Sequence, residues 1–244
     1  MNPLRRMTAA LGFRIVKCEK VNDTLEDHLG NLLPELGVNC VIDVGANTGQ
    51  FGRLLRDIGY GHRIVSLEPV HTTYELLQEE AAGDREWRTL PLALGAAPAR
   101  LPINVPRSTP FASFRQPSEY GRGQFPTRIS GEYTEEVEVT TLDAMWPRLV
   151  EGIARPVVYL KLDTQGYDLE VLRGAGDRIR LVSGLQCELA VKHIYEHAPD
   201  YLDALGELQD MGFELTGLYP ITREPRSLSI IEMDCVMRRA GPSW

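Results

Sequence analysis

Three things are missing from this chain, and each removes a class of protein. No apolar run approaches the roughly 20 residues that span a bilayer, so membrane insertion is not expected. There is no basic excess: Lys and Arg number 26 against 34 Asp and Glu, a net charge of -8, which disfavours a general affinity for nucleic acid or anionic membranes. Cysteine is sparse. Cys18, Cys40, Cys187 and Cys235 lie far apart, with no Cys-x-x-Cys pair, and the last three fall inside predicted strands. They read as reduced, buried thiols of a cytoplasmic protein. Internal repeats and low-complexity tracts are also missing. The stretch from Met1 to Ile15 sets Arg5, Arg6 and Arg14 around a short apolar patch, without the long apolar centre and cleavage site of a signal peptide.

What is present is enough apolar material, 43% of 244 residues, to bury the core of one domain spanning 1–244. Leu25, Leu29, Leu32 and Leu36 recur at helical spacing behind a capping Thr24, although Pro34 weakens the last turn. Residues 1–36 are thus expected to form a helical cover. Next come a strand at Cys40 to Val44 and a helix from Gln50 to Ile58. A strand at Arg63 to Leu67, a helix at Thr72 to Ala82 and a strand at Trp87 to Leu92 follow. Such alternation predicts a parallel sheet with helices on both faces. Residues 96–136 break the pattern with a hairpin-like start and a long proline-bearing polar segment, expected to act as a substrate loop. Beyond it lie a short strand at Val137 to Thr140, a helix from Leu142, strands ending at Asp163 and near Glu188, and a helix at Asp200 to Met211. The final strands, Phe213 to Leu218 and Ile230 to Met237, are joined too tightly for a crossover helix and are expected to be antiparallel.

The chemistry concentrates in Asp43-Val44-Gly45-Ala46-Asn47-Thr48-Gly49. It lacks the Gly-x-Gly-x-x-Gly spacing of dinucleotide enzymes and the Gly-Lys-Ser/Thr ending of a triphosphate loop. Its glycines allow close backbone approach, and a carboxylate at the strand end suits a ligand bearing an ammonium group, as in S-adenosylmethionine. Glu68 ends the next strand, where a carboxylate can accept both ribose hydroxyls. Asp163 ends a later strand and points at the same cleft, or else caps the following helix. Glu188 closes the next strand. His193 behind it is either a general base or a surface residue. Asp163, Glu188, His193 and Asp234 could surround a divalent metal, though no compact ligand motif supports that. Arg107, Arg115, Arg122 and Arg128 are either recognition groups for hydroxyl-rich or anionic substrates or solvated loop charges.

These residues resemble the FkbM-type methyltransferases. Val41 to Phe51 looks like that family's first motif, Ser66-Leu67-Glu68-Pro69 resembles its Phe-Glu-Pro segment, and Ala93-Leu94-Gly95 matches its Ala-Leu-Gly turn. Thr141-Leu142-Asp143 and Leu160 to Gly166 resemble its Thr-Leu-Asp and Lys-Ile-Asp-x-Glu-Gly segments. Gln165 departs from the Glu that many members carry, which questions a catalytic carboxylate there. The resemblance runs from about Cys40 to Arg238. It implies a Rossmann-like seven-stranded methyltransferase sheet, ordered 3-2-1-4-5-7-6 with strand 7 antiparallel. It also implies S-adenosylmethionine as donor and a hydroxyl acceptor, on a glycolipid or natural-product sugar, or on a polyketide or other small molecule. The cofactor set implied is Asp43, Gly45, Ala46, Asn47, Gly49, Phe51, Glu68, Pro69, Ala93 and Asp163. The catalytic candidates are Asp163, His193 and Glu188. A metal-assisted reaction and a non-catalytic cofactor-binding scaffold are the rival readings. No nucleic-acid partner is expected, and a homodimer is left open.

Overall fold

A computed structural model describes residues 24–129 and 131–241. The expectations for Met1 to Ile15 and for Cys18 lie outside these residues. The chain folds as α1 (Leu25–Leu36), β1 (Cys40–Val44), α2 (Gln50–Asp57), β2 (Arg63–Leu67), α3 (His71–Ala81), β3 (Trp87–Leu90) and β4 (Ala93–Leu94). Then come β5 (Ala99–Pro106), α4 (Glu119–Gln124), β6 (Gly131–Thr140), α5 (Leu142–Leu149), β7 (Val158–Leu162) and α6 (Asp168–Arg173). The chain closes with β8 (Val182–Ala190), α7 (Tyr201–Asp210), β9 (Phe213–Arg223) and β10 (Ile230–Arg239).

Seven strands make the main sheet in the order β3-β2-β1-β7-β8-β10-β9. Numbered within that sheet alone, the order reads 3-2-1-4-5-7-6. Neighbours are parallel from β3 to β8, and β10 runs antiparallel to both β8 and β9. The central strands β1 and β7 are buried along their whole length, which explains their unbroken apolar character. One face packs Leu29, Leu32 and Leu33 of α1, Phe51 and Leu55 of α2, and Leu77 of α3 against Val41, Ile64 and Tyr159. The other face packs Trp146 of α5, Leu169 and Leu172 of α6, and Leu208 of α7 against Ile42, Leu160 and Leu185. Helix–sheet–helix layering buries each element's apolar stripe.

Local rules set the boundaries. Thr24 accepts the Asp27 N–H and caps α1. Pro34 is carried inside α1, because the helix ends soon afterwards at Gly37, whose left-handed backbone returns its N–H to Leu33 and Pro34 carbonyls. Cys40, Cys187 and Cys235 are buried free thiols.

The expectation of a long irregular segment at 96–136 needs correction. β5 and β6 pair antiparallel from Ala99 to Gly131, and β4 adds to β6 to complete a second, three-stranded sheet. Val70, Ile103, Val105 and Val137 form its small core. Between β5 and β6, Asn104 and Ser113 exchange backbone hydrogen bonds, and α4 is capped by the Ser118 hydroxyl.

Candidate active site

The turn after β1 is built on left-handed backbone. Gly45, Asn47 and Gly49 have φ of 78°, 48° and 89°. A Cβ on Gly45 would stand 2.1 Å from the Asp163 carbonyl oxygen, so this crossing between the β1 and β7 ends requires glycine. Every N–H of the turn is already used. Gly45 and Ala46 donate to the Leu67 carbonyl, Asn47 to Glu68 Oε2, Thr48 to Asn47 Oδ1 and Gly49 to the Ala46 carbonyl. A phosphate loop works by presenting free N–H groups, and this turn presents none.

Glu68 fastens the turn to the end of β2. Its Oε2 accepts from Asn47 and its Oε1 from the Val70 N–H, each at 2.9 Å. It is 5% exposed and faces the cavity beside Pro69 and Ala93. Burial pushes its carboxyl up to about 7 against the pull of those two N–H donors.

The cavity at the carboxyl ends of the parallel strands measures about 450 Å³, within the range of small-molecule sites, roughly 300–1,000 Å³. One end is formed by Gly45, Ala46, Asn47, Phe51, Glu68, Pro69 and the Leu92–Leu94 segment. The other end carries Asp163, Glu188, Glu232 and Asp234, and the insertion supplies Phe111, Phe114, Phe125 and Arg128. The insertion lines the cleft as a folded roof anchored to the turn after β7. Ser113 Oγ donates to the Gln165 carbonyl at 2.8 Å, and Arg115 Nε to the Gly166 carbonyl at 2.6 Å.

Gln165 is the hub of the acidic end. Its backbone is left-handed, with φ of 53°. Its Nε2 donates to Asp163 Oδ1 at 2.9 Å and to Glu188 Oε2 at 2.8 Å. The Tyr195 hydroxyl lies 2.9 Å from Gln165 Oε1 and 3.0 Å from the Phe111 carbonyl, so the roof and the site share one polar cluster. Burial, then Glu232 and Asp163, push the Glu188 carboxyl well above its ordinary value. Lys161 supplies the opposing charge, 3.0 Å from Asp163 Oδ2 and 3.5 Å from Asp43 Oδ1. Burial alone would discourage its charge, but Asp163 and then Asp43 outweigh that and hold the ammonium above its usual pKa.

Several sequence expectations change. Asp43 does not face the cavity. β1 register sets it between Ser66 and Lys161, so its side chain is spent on a buried ion pair and on the Ser66 hydroxyl, 3.1 Å away. Gly49 caps α2 and packs toward Leu77, Glu80 and Trp87, off the cavity wall. His193 is exposed and lines no part of the cavity, which removes the contact a general base requires. Asp163 is not the cap of α6; Tyr167 holds that position, and Asp168 takes the Thr164 N–H. Among the described residues no group of three or more His, Cys, Asp and Glu has the arrangement of a metal site. Arg115 and Arg122 are held by backbone carbonyls, whereas Arg128 reaches the cavity with its guanidinium 5.0 Å over the Phe111 ring. No local sequence signal marks Lys161, Gln165 as hub, Glu232 or Tyr195; Lys161 and Glu232 are placed by β7 and β10, and Gln165 and Tyr195 by loop contacts across the fold.

The residues present fit S-adenosylmethionine. Gly45, Ala46 and Asn47 line one end of the cavity, buried Glu68 lines the wall next to them, and Pro69 with Leu92, Ala93 and Leu94 forms an apolar stretch of the same wall. A parallel sheet with this cradle at its switch point is the architecture of a nucleoside-cofactor-binding protein. More particularly, residues 43–215 match the Methyltransferase FkbM domain, and the chain belongs to that family of S-adenosylmethionine-dependent methyltransferases. Among solved structures it is similar to an S-adenosylmethionine-dependent methyltransferase from Mesorhizobium loti (11% identity, 88% of this chain and 98% of that one, TM-score 0.47). It is similar also to an rRNA methylase from Streptococcus thermophilus (9% identity, 91% and 99% covered, TM-score 0.46). A third is fibrillarin of Aeropyrum pernix with natively bound S-adenosyl-L-methionine (14% identity, 81% and 66% covered, TM-score 0.43). No curated protein matches the chain. Family membership rests on the domain match. No helix among the described residues is long and apolar enough to cross a membrane.

Proposed function

We propose that the protein is an O-methyltransferase acting on a hydroxyl of a sugar, in a glycolipid or natural-product glycoside. The carrying observation is that one cavity holds both halves of such a reaction. The Gly45–Asn47 turn and Glu68 occupy one end, and the carboxylates Asp163 and Glu188 occupy the other. Bound S-adenosylmethionine supplies an activated methyl group, so the chain's task is alignment, water exclusion and proton removal.

Glu188 and Asp163 are the proposed bases. They stand together through Gln165, and the other oxygen of Glu188 takes no hydrogen bond from the described residues. Burial and neighbouring carboxylates raise the proton affinity of Glu188, which favours taking a proton from an alcohol. Lys161 and Gln165 fix the pair's geometry. The roof, with Phe111, Phe114 and Phe125, offers apolar rings to the face of a sugar and excludes water. A cytoplasmic location accords with the buried free thiols.

The test is methyl transfer from radiolabelled S-adenosylmethionine to a panel of glycosides, compared with polyketide alcohols and RNA. Label in an alkali-stable ether on the sugar supports the proposal. Label confined to RNA or polyketide, or no transfer at all, refutes it.

A further inference from the structure

The acidic end of the cavity holds more carboxylate than proton removal requires. It carries Asp163, Glu188, Glu232 and Asp234, and the cavity as a whole sets these and Glu68 against Lys161 and Arg128. Lys161 is already committed to Asp43 and Asp163. Arg128 rests over Phe111 at the exposed mouth. Glu68 is held by the turn, and Asp163 with Glu188 is held by Gln165.

Glu232 is different. It is 8% exposed, it lines the cavity, and among the described residues no donor hydrogen-bonds its carboxylate and no cation pairs with it. A buried carboxylate without a partner is costly, so such groups are normally paired. Gln186 lines the same cavity, is 2% exposed, and leaves its Oε1 without a donor. The Glu232 carboxylate therefore faces the cavity without the positively charged or N–H donor that would satisfy it. In the same cavity lining, the Phe111 and Phe125 rings stand 5.3 Å apart, and the Phe111 ring already receives one guanidinium. Aromatic faces attract cations in this way.

Resting on the sugar O-methyltransferase reading, we propose that the acceptor carries a protonated amine and that Glu232, with Asp234 beside it, is the group that seats it. The substrate class is then an amine-bearing sugar. The proposal also accounts for the choice of oxygen over nitrogen. An ammonium held against Glu232 has no free lone pair, so the neighbouring hydroxyl is the nucleophile. A divalent metal is the less suited occupant. The position between Asp163 and Glu188 is already taken by the Gln165 amide, and a metal of this kind needs several oxygens at about 2.0–2.6 Å. Burial, then the Asp163 carboxylate, push Glu232 up to about 8, and burial pushes Asp234 to about 6 against the pull of a Gln186 hydrogen bond, a cost that a cationic ligand offsets.

The experiment is calorimetric titration of the full chain, loaded with S-adenosylhomocysteine, with methyl glucosaminide, its N-acetyl form and methyl glucoside. The amine is expected to bind at least about tenfold more tightly than the two neutral probes, the gain of a charge-assisted contact. Glu232→Gln is expected to bring all three within about twofold, and Asp234→Asn to reduce the preference, while both variants still bind S-adenosylhomocysteine. Equal binding of the probes, no binding of any, or a preference that survives both substitutions overturns the proposal. So does magnesium binding that is lost in Glu232→Gln and that competes with the amine. Failure of S-adenosylhomocysteine to bind the unsubstituted protein contradicts the underlying reading, and the amine site falls with it. Its binding without amine preference overturns the amine site alone.

Discussion

The Asn47 N–H donates to Glu68 Oε2 at 2.9 Å, which ties the turn after β1 to the end of β2. One carboxylate thus shapes the cradle and lines the cavity. Glu68→Ala leaves the Asn47 and Val70 N–H groups without their acceptor, at about 1–3 kcal/mol each if they stay dry. The expected outcome is a lower melting temperature and at least about tenfold weaker S-adenosylhomocysteine binding, measured by thermal shift and calorimetry. Unchanged affinity would show that Glu68 holds the turn and nothing else.

Gly45→Ala is expected to damage stability and cofactor binding together. Its φ of 78° and a Cβ placed 2.1 Å from the Asp163 carbonyl leave no room for a side chain. The loss is about 2 kcal/mol or more, because both backbone strain and a clash contribute. Denaturant unfolding checks it. Gly30→Ala, with nothing within 4 Å of the added Cβ, is the control.

Proton removal separates Glu188 from His193. Glu188→Gln is expected to lower kcat by about 10²-fold or more, the usual contribution of a positioned base. His193→Ala is expected to leave kcat within about twofold, because the imidazole lies off the cavity wall. Steady-state rates for the two variants decide this. The reverse ranking would restore His193.

Stability should fall as the pH rises through neutrality. Burial raises Glu68 to about 7, Glu232 to about 8 and Asp234 to about 6, each above its unfolded value. The folded state then binds more protons than the unfolded state, so the stabilising contribution is fully present below the unfolded carboxylate range. It is lost as pH climbs through about 6 to 8. The melting temperature of the ligand-free protein is expected to drop by several degrees from pH 5 to pH 8.5. Glu232→Gln is expected to flatten the slope. A profile that is flat or rising across this window would contradict the burial of these groups.

The parts of this structure legible in the sequence were those governed by short-range patterns. The β1 and β2 bounds, the cap at Thr24 and the last antiparallel pair follow from apolar runs, a capping hydroxyl and a tight connection. Asp43 was misplaced because its orientation depends on Ser66 and Lys161, which reach it through strand register. The order of the insertion comes from distant pairings, Ala99 with Val139 and Pro117 with Tyr195, that local composition does not encode. Gln165 marked a departure from its family's pattern, but its role needed Tyr195, Asp163 and Glu188 around it.

The most direct measurement is a crystal structure of the full chain with S-adenosylhomocysteine. The account requires ribose hydroxyls on Glu68, the purine beside Ala93, and sulfur facing Asp163 and Glu188 across the open part of the 450 Å³ cavity. Sulfur turned toward the Leu92–Leu94 wall, or a ligand bound outside this cavity, would contradict it.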